Sequence, residues 1–292
     1  MTYTEQLSIL RDNLALFCER GEISTEQKAL TLRSIASLIC NNEAIESVRD
    51  VYDTYNESIY EQSAQSEYFI FRELLTSARL MPEIQDILAI CDDAPADVKG
   101  NVAYVKNRFC DIAYERLCTD INSAYALLVG SPQEACELVL SGNSEFCILP
   151  IENARDGKLF GFYSMLDRFG LKICRICTID TDEEYSYVKY ALISRSCKDV
   201  LDTAKVDEQY IFEFSVLSEN AAFVADTVNF AALCGAIPLT IDSRPSPYDP
   251  NLQKYLFSFL LDGSFDFLLY PALKLTGYTP IGFFKHERNK NK

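Results

Sequence analysis

The sequence predicts a mixed α/β and α+β protein with an N-terminal all-helical region, a single-lobed open α/β domain and a C-terminal βαββαβ domain. Three observations carry this. Apolar residues recur at helical spacing over the first ninety-odd positions. After Gly100 short apolar runs alternate with helical stretches, the rhythm of an open sheet covered by helices on both faces. From about Asp207 the order becomes strand, helix, strand, strand, helix, strand, which is the ferredoxin-like split βαβ arrangement.

In the first region Leu7, Leu10, Leu14 and Phe17 mark a helix that ends at Arg20-Gly21. Ser24-Thr25-Glu26-Gln27 has the form of a capping box, and Leu30, Ile35, Leu38 and Ile39 follow at helical spacing. A third helical stretch runs from Ser66 to Cys91, with a break or kink expected at Pro82, because proline removes a backbone donor and clashes with the preceding turn. Asp92 to Asp97 is an acidic, Pro-containing linker. In the middle region Val102 to Val105 and Tyr125 to Val129 read as strands. Ser131-Pro132 supplies an N-cap and a first-turn proline for a helix ending near Ser141-Gly142. Phe146 to Leu149 is a continuous apolar run of the buried-strand type. A helix over Leu159 to Phe169 leads to strands at Leu171 to Thr178 and Tyr187 to Ser194. The last region gives strands at Tyr210 to Val216, Ile237 to Asp242, Tyr255 to Leu261 and Thr279 to Phe284. Its helices are expected at Asn220 to Leu233 and Phe265 to Leu275.

Composition narrows the function classes. The chain has 292 residues, 48% hydrophobic and 24% charged, which are globular values that exclude a disordered or fibrous protein. Its 27 Lys and Arg against 43 Asp and Glu give a net charge of −16, so a nucleic-acid backbone would be repelled. The basic cluster His286, Arg288, Lys290 and Lys292 reads as a short solvated tail. No apolar run approaches the roughly 20 residues of a membrane span, and the start, Met1-Thr2-Tyr3-Thr4-Glu5, lacks the basic region of a secretory leader. With eleven Cys, this points to a reducing cytoplasm. Cys174-Arg175-Ile176-Cys177 is a C-x-x-C, but on a strand that spacing places the thiols on opposite faces; with His286 the single histidine, neither a metal site nor a Ser/His/Asp triad is expected. No cofactor is implied.

The segment Cys147-Ile148-Leu149-Pro150-Ile151-Glu152-Asn153-Ala154-Arg155-Asp156-Gly157 resembles the "PIEN(S)xxG" signature of prephenate dehydratases. Ile241-Asp242-Ser243-Arg244-Pro245-Ser246, followed by Lys254-Tyr255-Leu256-Phe257, resembles the "IESRPS" phrase and next strand of that family's regulatory ACT domain. Phe71 to Leu80 is similar to the last helix of the all-helical chorismate mutases. Together these resemble the bifunctional chorismate mutase/prephenate dehydratase, and imply a mutase-like segment at 1–95, a one-lobed dehydratase-like domain at 100–200 and an ACT-like domain at 207–287.

The departures from that pattern bear on activity. In the family a complete second lobe separates the two strands that here flank Asp180 to Ser186, and the later strand carries a Thr-Arg-Phe triplet whose Thr assists loss of a hydroxyl. The matching positions are Val188, Lys189 and Tyr190, and a valine can neither donate nor accept a proton. The glycine-rich turn expected after Ala103 has no glycine, and the Ser of the signature is Ala154. Pro82 stands where the mutase pattern has a substrate-contacting Gln, and residues 1–99, with eight Lys/Arg and eighteen Asp/Glu, are a poor field for a dianion.

Ligand candidates are therefore few, and each has a bland alternative. Glu152 and Asn153 either line a crevice at a strand end or cap the turn Ala154–Lys158. Arg79 either holds a carboxylate or is an ordinary paired cation. The resemblance implies an effector site, for phenylalanine or another small carboxylate, at the helix start Asn220-Ala221-Ala222-Phe223 and the turn Asp242-Ser243-Arg244-Pro245; the alternative is that the turn serves packing and dimer geometry. A homodimer is expected, because the outer strand of the βαββαβ unit would leave an open edge. The apolar helices carrying Phe223, Val224, Val228, Phe230 and Leu233, and Phe265, Phe267, Leu268, Leu269, Leu273 and Leu275, also ask for more cover than one sheet supplies. The resulting expectation is a degenerate, non-catalytic, amino-acid-sensing relative of the phenylalanine-pathway enzyme. The rivals are an active enzyme with residual mutase or dehydratase chemistry, and a structural partner of an intact homologue.

Overall fold

The computed structural model describes residues 2–20, 24–60, 62–89, 99–181, 186–197, 200, 203–205, 207–246, 249 and 251–286. Gly21, the linker Asp92–Asp97, Asp182 to Glu184 and the basic tail beyond His286 lie outside them. The mixed α/β class is as expected. The chain divides into two compact units, one made of 1–88, 218–237 and 264–276, the other of 89–217, 238–263 and 277–292.

The first unit is helical: α1 (Tyr3–Arg20), α2 (Thr25–Cys40), α3 (Val48–Ser58), α4 (Ala64–Thr76), α5 (Met81–Ala89), α9 (Ala222–Leu233) and α10 (Leu269–Lys274). Ser24 caps α2 by accepting from Gln27 N at 3.3 Å. The expected break at Pro82 is there: α4 stops at Thr76, and Pro82 lies in the first turn of a new helix, where its missing N–H is no loss. Helix α3 was not anticipated, although Ser47 caps it and Val48, Val51, Tyr52 and Tyr55 bury one face. The predicted helix Phe265–Leu275 is shorter, Leu269–Lys274, because Pro271 is tolerated only in a first turn. Phe230 of α9 and Tyr270 of α10 find cover inside this unit, where Phe71 of α4 packs edge-on against them at 5.5 Å and 6.2 Å, while Leu233 stays 46% exposed.

The second unit holds β1 (Asn101–Val105), α6 (Arg108–Leu117), β2 (Tyr125–Val129), α7 (Pro132–Leu140), β3 (Phe146–Asn153), β4 (Gly157–Lys158), α8 (Phe160–Phe169), β5 (Lys172–Asp180), β6 (Tyr187–Ser194), β7 (Gln209–Ser218), β8 (Ile237–Pro245), β9 (Gln253–Asp262) and β10 (Tyr278–Lys285). Two strand ends, Ser218 of β7 and Ile237 of β8, group with the helices. All strands join one sheet, ordered β2-β1-β3-β6-β5-β10-β7-β9-β8 with β4 on β3. The segment β10-β7-β9-β8 has the strand order of a split βαβ unit. It joins the rest through a parallel contact between β5 and β10 at Ile173↔Gly282. Glycine is needed there: a Cβ on Gly282 would sit 2.7 Å from Ile173 Cβ and 2.8 Å from its carbonyl oxygen. On one face of the sheet an apolar cluster gathers Val139, Leu149, Leu166, Ile173 and Ile193, and on the other face a second gathers Val102, Cys110, Ile148, Tyr190 and Leu192. Helix α6, capped by Asn107 accepting from Cys110 N at 2.9 Å, follows directly on the glycine-free turn after β1 and was also not anticipated.

Strands β5 and β6 are antiparallel neighbours with paired positions running out to Asp180↔Tyr187, and Thr181 N donates to Ser186 O at 2.9 Å. They form a hairpin in one sheet, as expected from the few residues between them. Among the described residues no helix is long and apolar enough to cross a membrane.

Candidate functional site

The signature segment occupies the end of β3 and the turn into β4. Antiparallel pairing sets Glu152 opposite Lys189 and Asn153 opposite Val188 on β6, and on the other side Glu152 opposite Lys158 on β4. Glu152 Oε1 is 2.8 Å from Lys189 Nζ and accepts from the Tyr187 hydroxyl, also at 2.8 Å. That hydrogen bond, ahead of burial, pushes the Tyr187 phenol up from its ordinary value. Lys189 Nζ also lies 5.6 Å from the Tyr187 ring centre. The glutamate is thus held in place by the strand that carries the altered triplet.

Asn153 organises the turn. Its Oδ1 accepts from Arg155 N at 3.0 Å and Asp156 N at 2.6 Å, while Nδ2 donates to Asp156 Oδ2 at 3.0 Å. This is the capping role, produced by a short side chain that can mimic a backbone turn. Ala154 is exposed and its N–H donates to Tyr187 O. Val188 is half-buried against the second apolar cluster, and Tyr190 is buried there.

One turn beyond Asn153, Lys158 leads inward. Its Nζ is 3.1 Å from Glu213 Oε1 on β7, with side chains only 10% and 5% exposed. Tyr163 on α8 donates to Glu213 Oε2 at 3.2 Å, and Lys158 Nζ lies 5.4 Å from that ring centre. Burial first, then the carboxylates Glu213, Glu152 and Asp242, push the Tyr163 phenol well above its ordinary value. Two ion pairs, Lys189–Glu152 and Lys158–Glu213, therefore present their carboxylates toward Tyr163. Sequence reading missed Lys158, Tyr163, Tyr187 and Glu213. Glu213 had a usable signal, a lone charge inside the apolar run Tyr210 to Val216; Lys158, on a two-residue strand, had none.

The remaining candidates are separate. Arg79 donates to Ile45 O at 2.6 Å and Cys40 O at 3.0 Å, closing the end of α2, which is the ordinary structural reading of that cation. Pro82 is exposed at the start of α5. Asn220 to Phe223 belong to the helical unit, where Asn220 Oδ1 accepts from Ala222 N at 3.1 Å and Ala221 caps α9 without a side-chain bond. Asp242, Ser243, Arg244 and Pro245 belong to the sheet unit, at the end of edge strand β8; Arg244 Cζ stands 3.5 Å from the centre of the Phe160 ring. Cys174 and Cys177 are both buried: Cys177 lies in the second apolar cluster, and Cys174 Sγ contacts Ser196 O at 3.2 Å. Among the described residues no group of His, Cys, Asp or Glu could hold a metal ion.

No protein-family model and no curated protein matches the sequence. Solved structures do. A prephenate dehydratase from Streptococcus mutans is 16% identical, with a TM-score of 0.51 over 64% of this chain and 99% of that one. GqqA, described as a novel type of quorum quenching acylase, is 14% identical, with a TM-score of 0.50 over 66% of this chain and 99% of that one. Identities this low speak for the fold alone: the chain has a prephenate-dehydratase-like fold.

Proposed function

We propose that this chain is a non-catalytic relative of the dehydratases that works as a regulatory or amino-acid-sensing homodimer. The observation that carries the reading is the state of Glu152. A carboxylate that is to act on a bound substrate must face it, whereas this one is engaged by Lys189 and Tyr187. The same strand offers Val188, without a hydroxyl, beside it. The tight β5–β6 hairpin supports the reading too, since it leaves no place for the second wall of a cleft. An effector with a carboxylate, phenylalanine being the first to test, would use either the helix start at Asn220 to Phe223 or the β8 turn around Arg244, each taken by itself.

The rival reading is an active dehydratase or mutase. It is favoured by one observation: the Glu152 side chain is 18% exposed and sits at the end of a strand. Incubation of the purified protein with prephenate separates the two. No phenylpyruvate above background is expected; turnover at catalytic protein concentration, abolished by Glu152→Ala, would establish the rival. A mutase assay with chorismate is expected to be equally silent.

A further inference from the structure

The sheet of the second unit ends on two strands, β8 and β2. Strand β2 is bonded on one side to β1, in parallel register from Asn101↔Tyr125 to Val105↔Val129 with no bulge. Among the described residues no strand pairs with its other side, so its outward N–H and C=O groups form a regular open row. Exposed edges are ordinarily blunted by lysine, proline or a bulge. Tyr125-Ala126-Leu127-Leu128-Val129 carries neither charge nor proline. Alternation sends Tyr125, Leu127 and Val129 to one face of the sheet and Ala126 and Leu128 to the other. Leu127 and Val129 pack against the first apolar cluster and Ala126 against the second. Tyr125 and Leu128 stay 64% and 53% exposed, one on each face. An added strand therefore meets an uncovered apolar side chain on both faces.

The dimensions decide what fits. Five residues span ~17 Å. Two strands that short, side by side, bury far less than the roughly 1,200 Å² that a stable pair of folded chains needs. A second copy gains too little there, whereas a strand-shaped peptide draws its affinity from main-chain hydrogen bonds along just such an edge. Antiparallel addition gives the stronger ladder. It sets the peptide's N-terminal end beside the last residue of β2, at the level where the exposed Lys106 and Arg108 follow β1. A nearby acid, Glu134, is turned back to accept from Gly130 N at 2.8 Å. That end of the edge favours an acidic residue in the occupant.

We propose that β2 is a docking strand for an extended segment of a partner protein, added antiparallel to the edge, with uncharged, β-branched residues along the ladder and an acidic residue just before them. The proposal rests neither on the effector reading nor on the homodimer.

Fluorescence anisotropy on the full chain tests it with a labelled synthetic peptide: two aspartates followed by isoleucine and threonine in alternation, capped at both ends. Saturable binding is expected. Methylating alternate backbone nitrogens, in the phase that faces β2, should weaken it at least about tenfold, because each methyl removes a ladder bond. Replacing the aspartates by lysines should weaken it about threefold at low salt, and Lys106→Ala combined with Arg108→Ala should erase that difference. Leu128→Ala should weaken it about two- to fivefold, while Leu239→Ala, on the opposite edge, should not change it. Bound peptide should slow amide hydrogen exchange over 125–129 and not over 237–245. No saturable binding up to about 1 mM peptide overturns the proposal, as does equal binding of the methylated peptide. Protection on 237–245 in place of 125–129 assigns the peptide to the other edge and overturns it too. Sedimentation showing the wild type assembling beyond a dimer, reversed by Leu128→Lys, gives the edge to a second copy and likewise overturns it.

Discussion

Lys158 and Glu213 are the two charges whose removal should be felt most in the sheet unit. Both are nearly excluded from solvent, so each depends on the other, and Tyr163 takes the second carboxylate oxygen. Removing one partner of such a pair strands the other, at about 3–5 kcal/mol, while replacing both with apolar groups of similar volume is often neutral. Glu213→Leu should therefore destabilise by about 3 kcal/mol or more, and Lys158→Met combined with Glu213→Leu should recover most of it. Urea unfolding of the two single variants and the double variant measures this, and additive losses would show that the pair is not coupled. The contact was half legible in the sequence. A glutamate amid Tyr210, Ile211, Phe212, Phe214 and Val216 announces a buried charge, but nothing local identifies its partner 55 positions away.

Elements were legible where the apolar period was long and clean. Tyr125–Val129 and Tyr187–Ser194 fall where the pattern placed them, and the split βαβ order follows from strand and helix spacing alone. What the sequence hid was how elements join. The β5–β10 contact depends on the missing side chain of Gly282, which reads locally as an ordinary glycine inside a strand. Gly282→Ala should cost about 1–3 kcal/mol. Ile173→Ala should not rescue it, because the Ile173 backbone oxygen is nearly as close as its Cβ. Equal unfolding midpoints for Gly282→Ala and wild type would mean the strands separate without strain. Strand β8 carries the assembly proposal. It is an edge strand, and Ile237, Leu239 and Ile241, on one face, are 50%, 44% and 38% exposed. A second copy pairing there covers those side chains and the open backbone groups together. Sedimentation equilibrium at micromolar concentration should report a dimer that Leu239→Lys, placing a charge twice in a symmetric contact, converts to monomer. A monomeric wild type would remove the homodimer and leave the edge unexplained.

At the scale of the whole molecule, nine of the eleven cysteines are free and buried, which ties stability to alkaline pH. Burial is the first cause in the four clearest cases: it pushes the Cys118 and Cys197 thiols from 9.0 to about 11, and those of Cys40 and Cys234 to about 12. Neighbouring Glu73 adds to the effect at Cys40, and Asp266 adds to it at Cys234. Because the folded values are raised, the unfolded chain releases these protons first. The native state then binds more protons, so stability falls as pH rises. The contribution is complete below the ordinary thiol value and is lost progressively between about pH 9 and the folded values, each thiol giving up to about 1.4 kcal/mol per pH unit. These four thiols are spread over both compact units, so the decline belongs to the molecule rather than to one site. Urea midpoints under reducing conditions should be level to about pH 8.5 and fall steeply from pH 9 to 11, and Cys197→Ala should make that fall shallower by one thiol's share. A midpoint level to pH 11 would mean that the buried thiols ionise as readily folded as unfolded, contrary to the burial that surrounds them.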